Sequence, residues 1–312
     1  MSAMARLSPA ICLALLPMLL QGCASSVDRL NSQISRSVVT LERQQDADSL
    51  AAAALLSGND IFGKGQKDRK HAASLIARAT ATAPDRADLA WLQAAICQQT
   101  PSCDALPFEV RVRTLDPSNG IGWLGGLARS WAANDDAGTN KALRAIAQSD
   151  RVDIYYTRLI AKLTPKVAEA ASISLDEASV AVVGALAIES IPAYASASHA
   201  CKGERLDQPD VVTLCRGVAR AFENGDSFVT EMVGVAIAKR VWPENSPEWQ
   251  AAVDARRLFD YQSKLWIELP DKSATESMQN HIALCSQYRR EQDVFRAELI
   301  AAGKNPDLPP GP

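Results

Sequence analysis

The sequence predicts an all-α fold: a solenoid of helix hairpins, with an irregular α-bundle as the alternative. Three observations lead there. Apolar residues recur at three- and four-residue steps, which lines them on helical faces. Short turn signatures followed by an aromatic residue return about every 33 residues, a period typical of helix–turn–helix arrays. Proline stands before or at the start of these helical runs, and Gly, Asn or Asp between them, as paired helices require.

The N-terminal stretch is read as a targeting segment. Arg6 supplies a small positive region, and the apolar run from Ile11 to Leu20 is broken by Pro17. Spanning a bilayer takes roughly 20 apolar residues, and this run is about half that. Leu20-Gln21-Gly22-Cys23 resembles a bacterial lipobox. The resemblance implies cleavage before Cys23 and acyl chains on that residue, and two or more chains hold a protein stably on a bilayer. Ala24 follows where the inner-membrane retention signal of that class typically has Asp, which favours the outer membrane with the body in the periplasm. The expected organisation is a signal peptide over 1–22, a lipid anchor with a stalk helix over 23–48, a helical repeat domain over 49–304, and a disordered Pro-rich tail over 305–312.

Composition narrows the partners. A hydrophobic fraction of 47% with 22% charged residues suits a soluble core, and a net charge of −3 leaves no basic stripe for nucleic acid. The densest basic run, Lys64, Lys67, Arg69 and Lys70, reads as a solvated helix start.

After the signal, five cysteines other than Cys23 remain for an oxidising compartment: Cys97, Cys103, Cys201, Cys215 and Cys285. Their odd number leaves at least one free thiol or an intermolecular bridge, and no metal-ligand spacing is present. Cys97 and Cys103 flank a Thr100-Pro101 turn, and Cys201 and Cys215 flank a polar loop, so each pair is a candidate staple. Cys285, on an amphipathic run, is expected as a buried thiol.

Along the chain, Val27, Leu30, Ile34, Val38 and Leu41 mark a first helix, with Ser26 as its expected cap; it suits a stalk between anchor and body, or packs against the last helix. Turn-plus-aromatic units follow. Ala83-Pro84-Asp85-Arg86-Ala87-Asp88 precedes Trp91, Asp116-Pro117-Ser118-Asn119 precedes Trp123, and Ser149-Asp150-Arg151-Val152-Asp153 precedes Tyr155 and Tyr156. Pro209 and Pro243 open two later units, the second reading as one long helix from Trp249 to Trp266. The unit opened by Pro117 carries Leu124, Leu127 and Trp131 on one helix, then Leu143 and Ile146 on another beyond Asn134-Asp135-Asp136. In the unit opened by Pro209, Asn224-Gly225-Asp226 divides the two helices. Asp116-Pro117-Ser118-Asn119, Trp123 and Ala142-Leu143 are similar to the tetratricopeptide repeat family, although the family's tyrosine position is unmatched. That resemblance covers about half of the mature chain and implies stacked hairpins with a protein-binding concave face.

Ser174-Leu175-Asp176-Glu177 has the spacing of a capping box. The helix it opens is apolar on all sides and should be central, with Pro192 kinking or ending it. A final helix is expected through Met278, Ile282, Cys285, Val294 and Leu299.

Catalytic signatures are weak. Gly120-Ile121-Gly122-Trp123-Leu124-Gly125 matches a dinucleotide-binding glycine pattern but opens no βαβ unit, so its glycines read as helix-packing contacts. Gly58 to Lys64 approaches a P-loop, yet Gly65 stands where Ser or Thr should bind magnesium. His71, His199 and His281 lack partners at a persuasive spacing. Glu189 is the one acid of the kind that an all-α cell-wall enzyme places in an apolar cleft, and it reads better as structural. The tryptophans read mostly as repeat core, with Trp242 the candidate groove residue. The expectation is therefore a lipid-anchored protein-binding scaffold without catalysis or cofactor, its partner an envelope or secretion component. The alternative is an immunity or inhibitor lipoprotein that blocks a cell-wall hydrolase toxin.

Overall fold

The computed structural model describes residues 28–59, 67–269 and 274–307. The signal segment, Ser26, Cys23 and most of the 58–64 glycine segment lie outside the described residues.

Among the described residues the fold is all-α. The helices are α1 (28–44), α2 (Ala47–Gly58), α3 (Arg69–Thr82), α4 (Ala87–Gln98), α5 (Leu106–Leu115), α6 (Ile121–Ala132) and α7 (Asp136–Ala147). They continue as α8 (Tyr156–Ala171), α9 (Leu175–Ala200), α10 (Pro209–Glu223), α11 (Phe228–Val241), α12 (Pro247–Ile267), α13 (Ala274–Gln287) and α14 (Glu291–Ala301). Sequential helices pack as the pairs α2–α3, α4–α5, α6–α7, α8–α9 and α10–α11. Contacts of α3 with α4, α5 with α6, α7 with α10 and α11 with α12 pass the stack along.

The α8–α9 pair leaves this line. α9 packs on α2, α4 and α6, the first helices of three successive pairs, and also on α8, α11 and α13. Composition explains the layering. In α2 the run Leu50 to Leu56 is buried throughout, and in α4 so is Ala87 to Cys97. Alanine-rich helices that are apolar all round can be covered on every side, whereas their partners α3 and α5 keep one polar face.

α9 begins at the capping box, with Ser174 and Glu177 bonding reciprocally. It runs through Pro192 rather than ending there. Proline at that position deprives the Ile188 carbonyl of its helical donor. The Gln99 amide donates to that carbonyl instead, at 3.3 Å. By length and composition α9 is apolar enough to cross a membrane, yet half of its apolar window is buried in this body.

Three expectations need correction. α1 is no free-standing stalk: Ile34 and Leu41 are buried in the main core, Arg78 binds Glu42 at 2.6 Å and Arg29 binds Glu177 at 3.2 Å. Its apolar face gains more by burial than by standing in water. The expected last helix is two, α13 and α14, broken at Tyr288–Arg290, where the arginines turn inward to carboxylates. The tail is ordered at its start, since Tyr261 and Gln262 donate to the Asn305 and Pro306 carbonyls at 3.1 and 3.0 Å and Pro306 is buried. Residues 308–312 lie outside the described residues.

Two cysteine pairs lie at disulfide distance. Cys97 and Cys103 have Cα atoms 5.0 Å apart, and Cys201 and Cys215 5.6 Å, so the second ties the end of α9 to α10. Of the tryptophans, Trp91 is core. Trp123 and Trp242 are half-buried beneath Arg113 and Arg216, whose guanidinium carbons lie 4.1 and 4.2 Å from the ring centroids.

Candidate functional site

The sequence repeats Asp-Arg-x-Asp at 85–88 and 150–153, and both copies do the same work. Arg86 donates to Asp88 at 2.7 and 2.6 Å and reaches back 38 residues to Asp48 at 3.0 Å. Arg151 donates to Asp153 at 2.6 Å and reaches back 35 residues to Asp116 at 2.9 and 2.8 Å. Each arginine therefore pins the turn between two helix pairs to a carboxylate from earlier in the stack. Charge-assisted bonds of this bidentate kind also fix orientation.

After the second copy the chain runs extended across the end of α10. Gly120 N–H donates to the Arg151 carbonyl at 2.8 Å, and Val152 N–H to that of Ala221 at 2.9 Å. The Asn119 side chain closes both backbone groups of Asp153, at 3.0 and 2.9 Å. Asp226, fully buried in the turn after α10, accepts the N–H groups of Ile154 and Tyr156 at 3.0 and 2.7 Å. Between them Tyr155 is held in the left-handed region at φ 58°, and its hydroxyl donates to Asp116 at 3.0 Å. A tyrosine keeps that conformation only where its surroundings over-determine it.

This segment, the start of α8 and the end of α13 enclose a cleft of about 490 Å³. Its mouth carries Tyr155, Arg158, Lys162, Tyr288 and Arg289, with Asp153 and Asp226 beneath. Ala161 is on the wall, and its carbonyl has lost its helical donor to Pro165. Both Asp153 oxygens are engaged, by Arg151 at 2.6 Å and Arg289 at 2.5 Å. Burial raises the Asp226 carboxyl well above the carboxylate range and the Asp153 charge adds to that, while the two N–H bonds oppose it. Burial, and then the Asp116 charge, likewise push the Tyr155 phenol up. The cleft presents phenols and guanidinium groups at its mouth and internally bonded carboxylates at its floor.

Next to it lies a second polar layer. His281 Nδ1 is 2.9 Å from Glu298, which also accepts the Trp266 N–H at 3.0 Å. Burial alone would lower the His281 pKa, but hydrogen bonds to Cys285 and Glu298 and their charges raise it to about 10. Cys285 is buried and unpaired with any described cysteine, as expected. Glu291 accepts the Phe228 N–H at 2.7 Å and so caps α11.

The remaining sequence candidates sit elsewhere. Glu189 is 3% exposed and walls a separate groove of about 360 Å³, but it accepts from Asn59 at 2.9 Å, Arg69 at 2.6 Å and Gln99 at 3.0 Å. Its lone pairs are filled from three other elements. The glycine pattern of α6 packs helices: a Cβ on Gly125 would collide with the Gln98 amide and the Glu109 carboxylate, which is clamped by Arg129 at 2.6 and 2.7 Å. His71 lies 3.5 Å from Glu42, and exposed His199 stacks on Trp131 at 6.4 Å between centroids. Trp242, the groove candidate, has one ring face covered by Arg216.

Sequence reasoning missed Asp153, Asp226, Arg158, Lys162, Tyr288 and Arg289 as neighbours. The duplicated Asp-Arg-x-Asp was the available signal, since a paired charge motif inside each turn marks where the stack is pinned. Comparison with known protein families, with curated proteins and with solved structures finds no match to this chain.

Proposed function

We propose that this chain is a lipid-anchored protein of the bacterial envelope, held on the outer membrane through Cys23 with its body in the periplasm, and that it binds another protein without catalysing a reaction. The partner is an envelope or secretion component. The observation that supports a binding role is the cleft between α8 and α13. Two tyrosines and two arginines stand at its mouth beside Lys162, tyrosine and arginine being residue types that anchor protein interfaces, and Tyr288 is 40% exposed. The carboxylates beneath are bonded internally, which fits a rigid docking surface better than acid–base chemistry. At the mouth Arg289 and Lys162 are paired with Asp153 and Asp48, and exposed Arg158, which no described carboxylate engages, suits an acidic or carbonyl-rich segment.

The test places a photoreactive residue at Tyr288 in the full chain and irradiates intact cells. A single envelope or secretion component captured there, and lost in Arg158→Glu, supports the scaffold reading. A secreted cell-wall hydrolase as sole adduct selects the inhibitor reading instead. Peptidoglycan cleavage by the purified chain, abolished in Glu189→Gln, overturns both. For the anchor, Cys23→Ser is expected to leave the chain unprocessed and without acyl mass at its N-terminus.

A further inference from the structure

We propose that the outward face of α9 rests on the bilayer that carries the anchor, so that the body lies against the lipid surface instead of hanging free of it. This inference rests on the anchored reading above. It starts from Val180 and Ile191, the exposed ends of a line along α9 whose inner residue Val183 packs partly on the core. Val180, Val183, Ala187 and Ile191 fall at three- and four-residue steps along one side of α9. Val180 and Ile191 are 57% and 54% exposed, although the opposite side of the same helix is core. At 1.5 Å per residue this stripe is about 16 Å long. It carries no charge, because the helix's only ionisable side chain between Val180 and Ile191, Glu189, is turned inward to Arg69.

Position selects lipid as the occupant. Arg29 is bound to Glu177 in the first turn of α9. Cys23 is six residues upstream of Arg29, a reach of at most about 20 Å even when fully extended. Acyl chains on Cys23 therefore keep the start of the stripe within a few tens of ångströms of the bilayer. A face too weak to bind membranes alone suffices under that tether, because the effective concentration within a short linker's reach is millimolar. The stripe lacks the basic flank of helices that depend on anionic lipid, and Asp176 lies one turn before Val180, so anionic lipid should not strengthen the contact.

The experiment uses the full chain, processed in a bacterium, with p-benzoylphenylalanine at Val180, at Ile191, or at the control Val229 on α11, which is 52% exposed. The mature N-terminal mass is read in each sample. The purified chains are placed in phosphatidylethanolamine vesicles with or without phosphatidylglycerol, and the same positions are irradiated in intact envelope. We expect lipid adducts from positions 180 and 191 about fivefold above position 229, and no higher with phosphatidylglycerol than without it. Adducts from those positions to a protein, or to a second copy of the chain, overturn the inference, as does a yield no higher than the control on a lipidated chain. A mature N-terminus without acyl mass overturns the anchored reading and this inference with it, so the two failures are told apart by that one mass.

Discussion

At the residue scale, Glu189 shows how one side chain is read differently with and without its neighbours. Its four donor contacts come from Asn59, Arg69 and Gln99, which are 130, 120 and 90 residues away. The sequence places an acid inside an apolar helix and nothing more, since spacing along a helix says nothing of partners on other elements. Removing Arg69 leaves a buried carboxylate short of its cation, which costs about 3–5 kcal/mol. Arg69→Ala is therefore expected to lower the urea unfolding free energy by that amount, and Glu189→Gln, which keeps a polar group of the same shape, by less. Glu223 offers a pH test. Burial, and then the charge of Glu231, raise its pKa from 4.5 to about 7, with Arg220 opposing. The folded chain thus holds that proton more tightly than the unfolded one. This stabilisation is fully present below pH 4.5 and is lost as pH climbs to about 7. Glu223→Gln should flatten the fall in urea midpoint across that window.

At the element scale, helix existence and pairing were legible and helix company was not. The periodicity placed α6, α7, α10, α11 and the long α12, and the capping box fixed the start of α9 to the residue. The break between α13 and α14 escaped because no glycine or proline marks it, although the run from Ser286 to Asp293 carries Tyr288 as its one apolar side chain. What interrupts the helix is long-range: Arg289 binds Asp153 at 2.5 Å and Arg290 binds Glu231 at 3.1 Å. Glycine spacing told the truth only as packing. In α10, a Cβ on Gly217 would approach that of Ala147 to 2.5 Å, so α7 and α10 meet there at backbone distance. Gly217→Val should cost about 1–3 kcal/mol by overpacking, read as a lowered melting temperature with unchanged helical circular dichroism at low temperature.

For the whole molecule, the cysteines carried more information than any motif, because loop chemistry limits which thiols can meet. The bridge of Cys201 to Cys215 closes a separation of 14 residues, which is worth about 3 kcal/mol, and the six-residue separation of Cys97 and Cys103 somewhat less. Reduction should lower the urea midpoint measurably, with Cys201→Ser/Cys215→Ser reproducing the larger share. The candidate cleft was invisible in sequence, because its rim is contributed by α8 and α13, more than a hundred residues apart.

The placement of α9 against α2, α4 and α6 also dictates the order in which the chain can acquire its structure. An ordinary hairpin array can zip from either end, each pair resting on the one before. Here the earliest pairs present Asn59, Arg69 and Gln99 to a carboxylate that leaves the ribosome only when residue 189 does. Until then the apolar faces of α2, α4 and α6 that α9 covers have no cover from it. A fragment halted at residue 173 should therefore melt without a cooperative transition, while extending it past residue 215 should restore one.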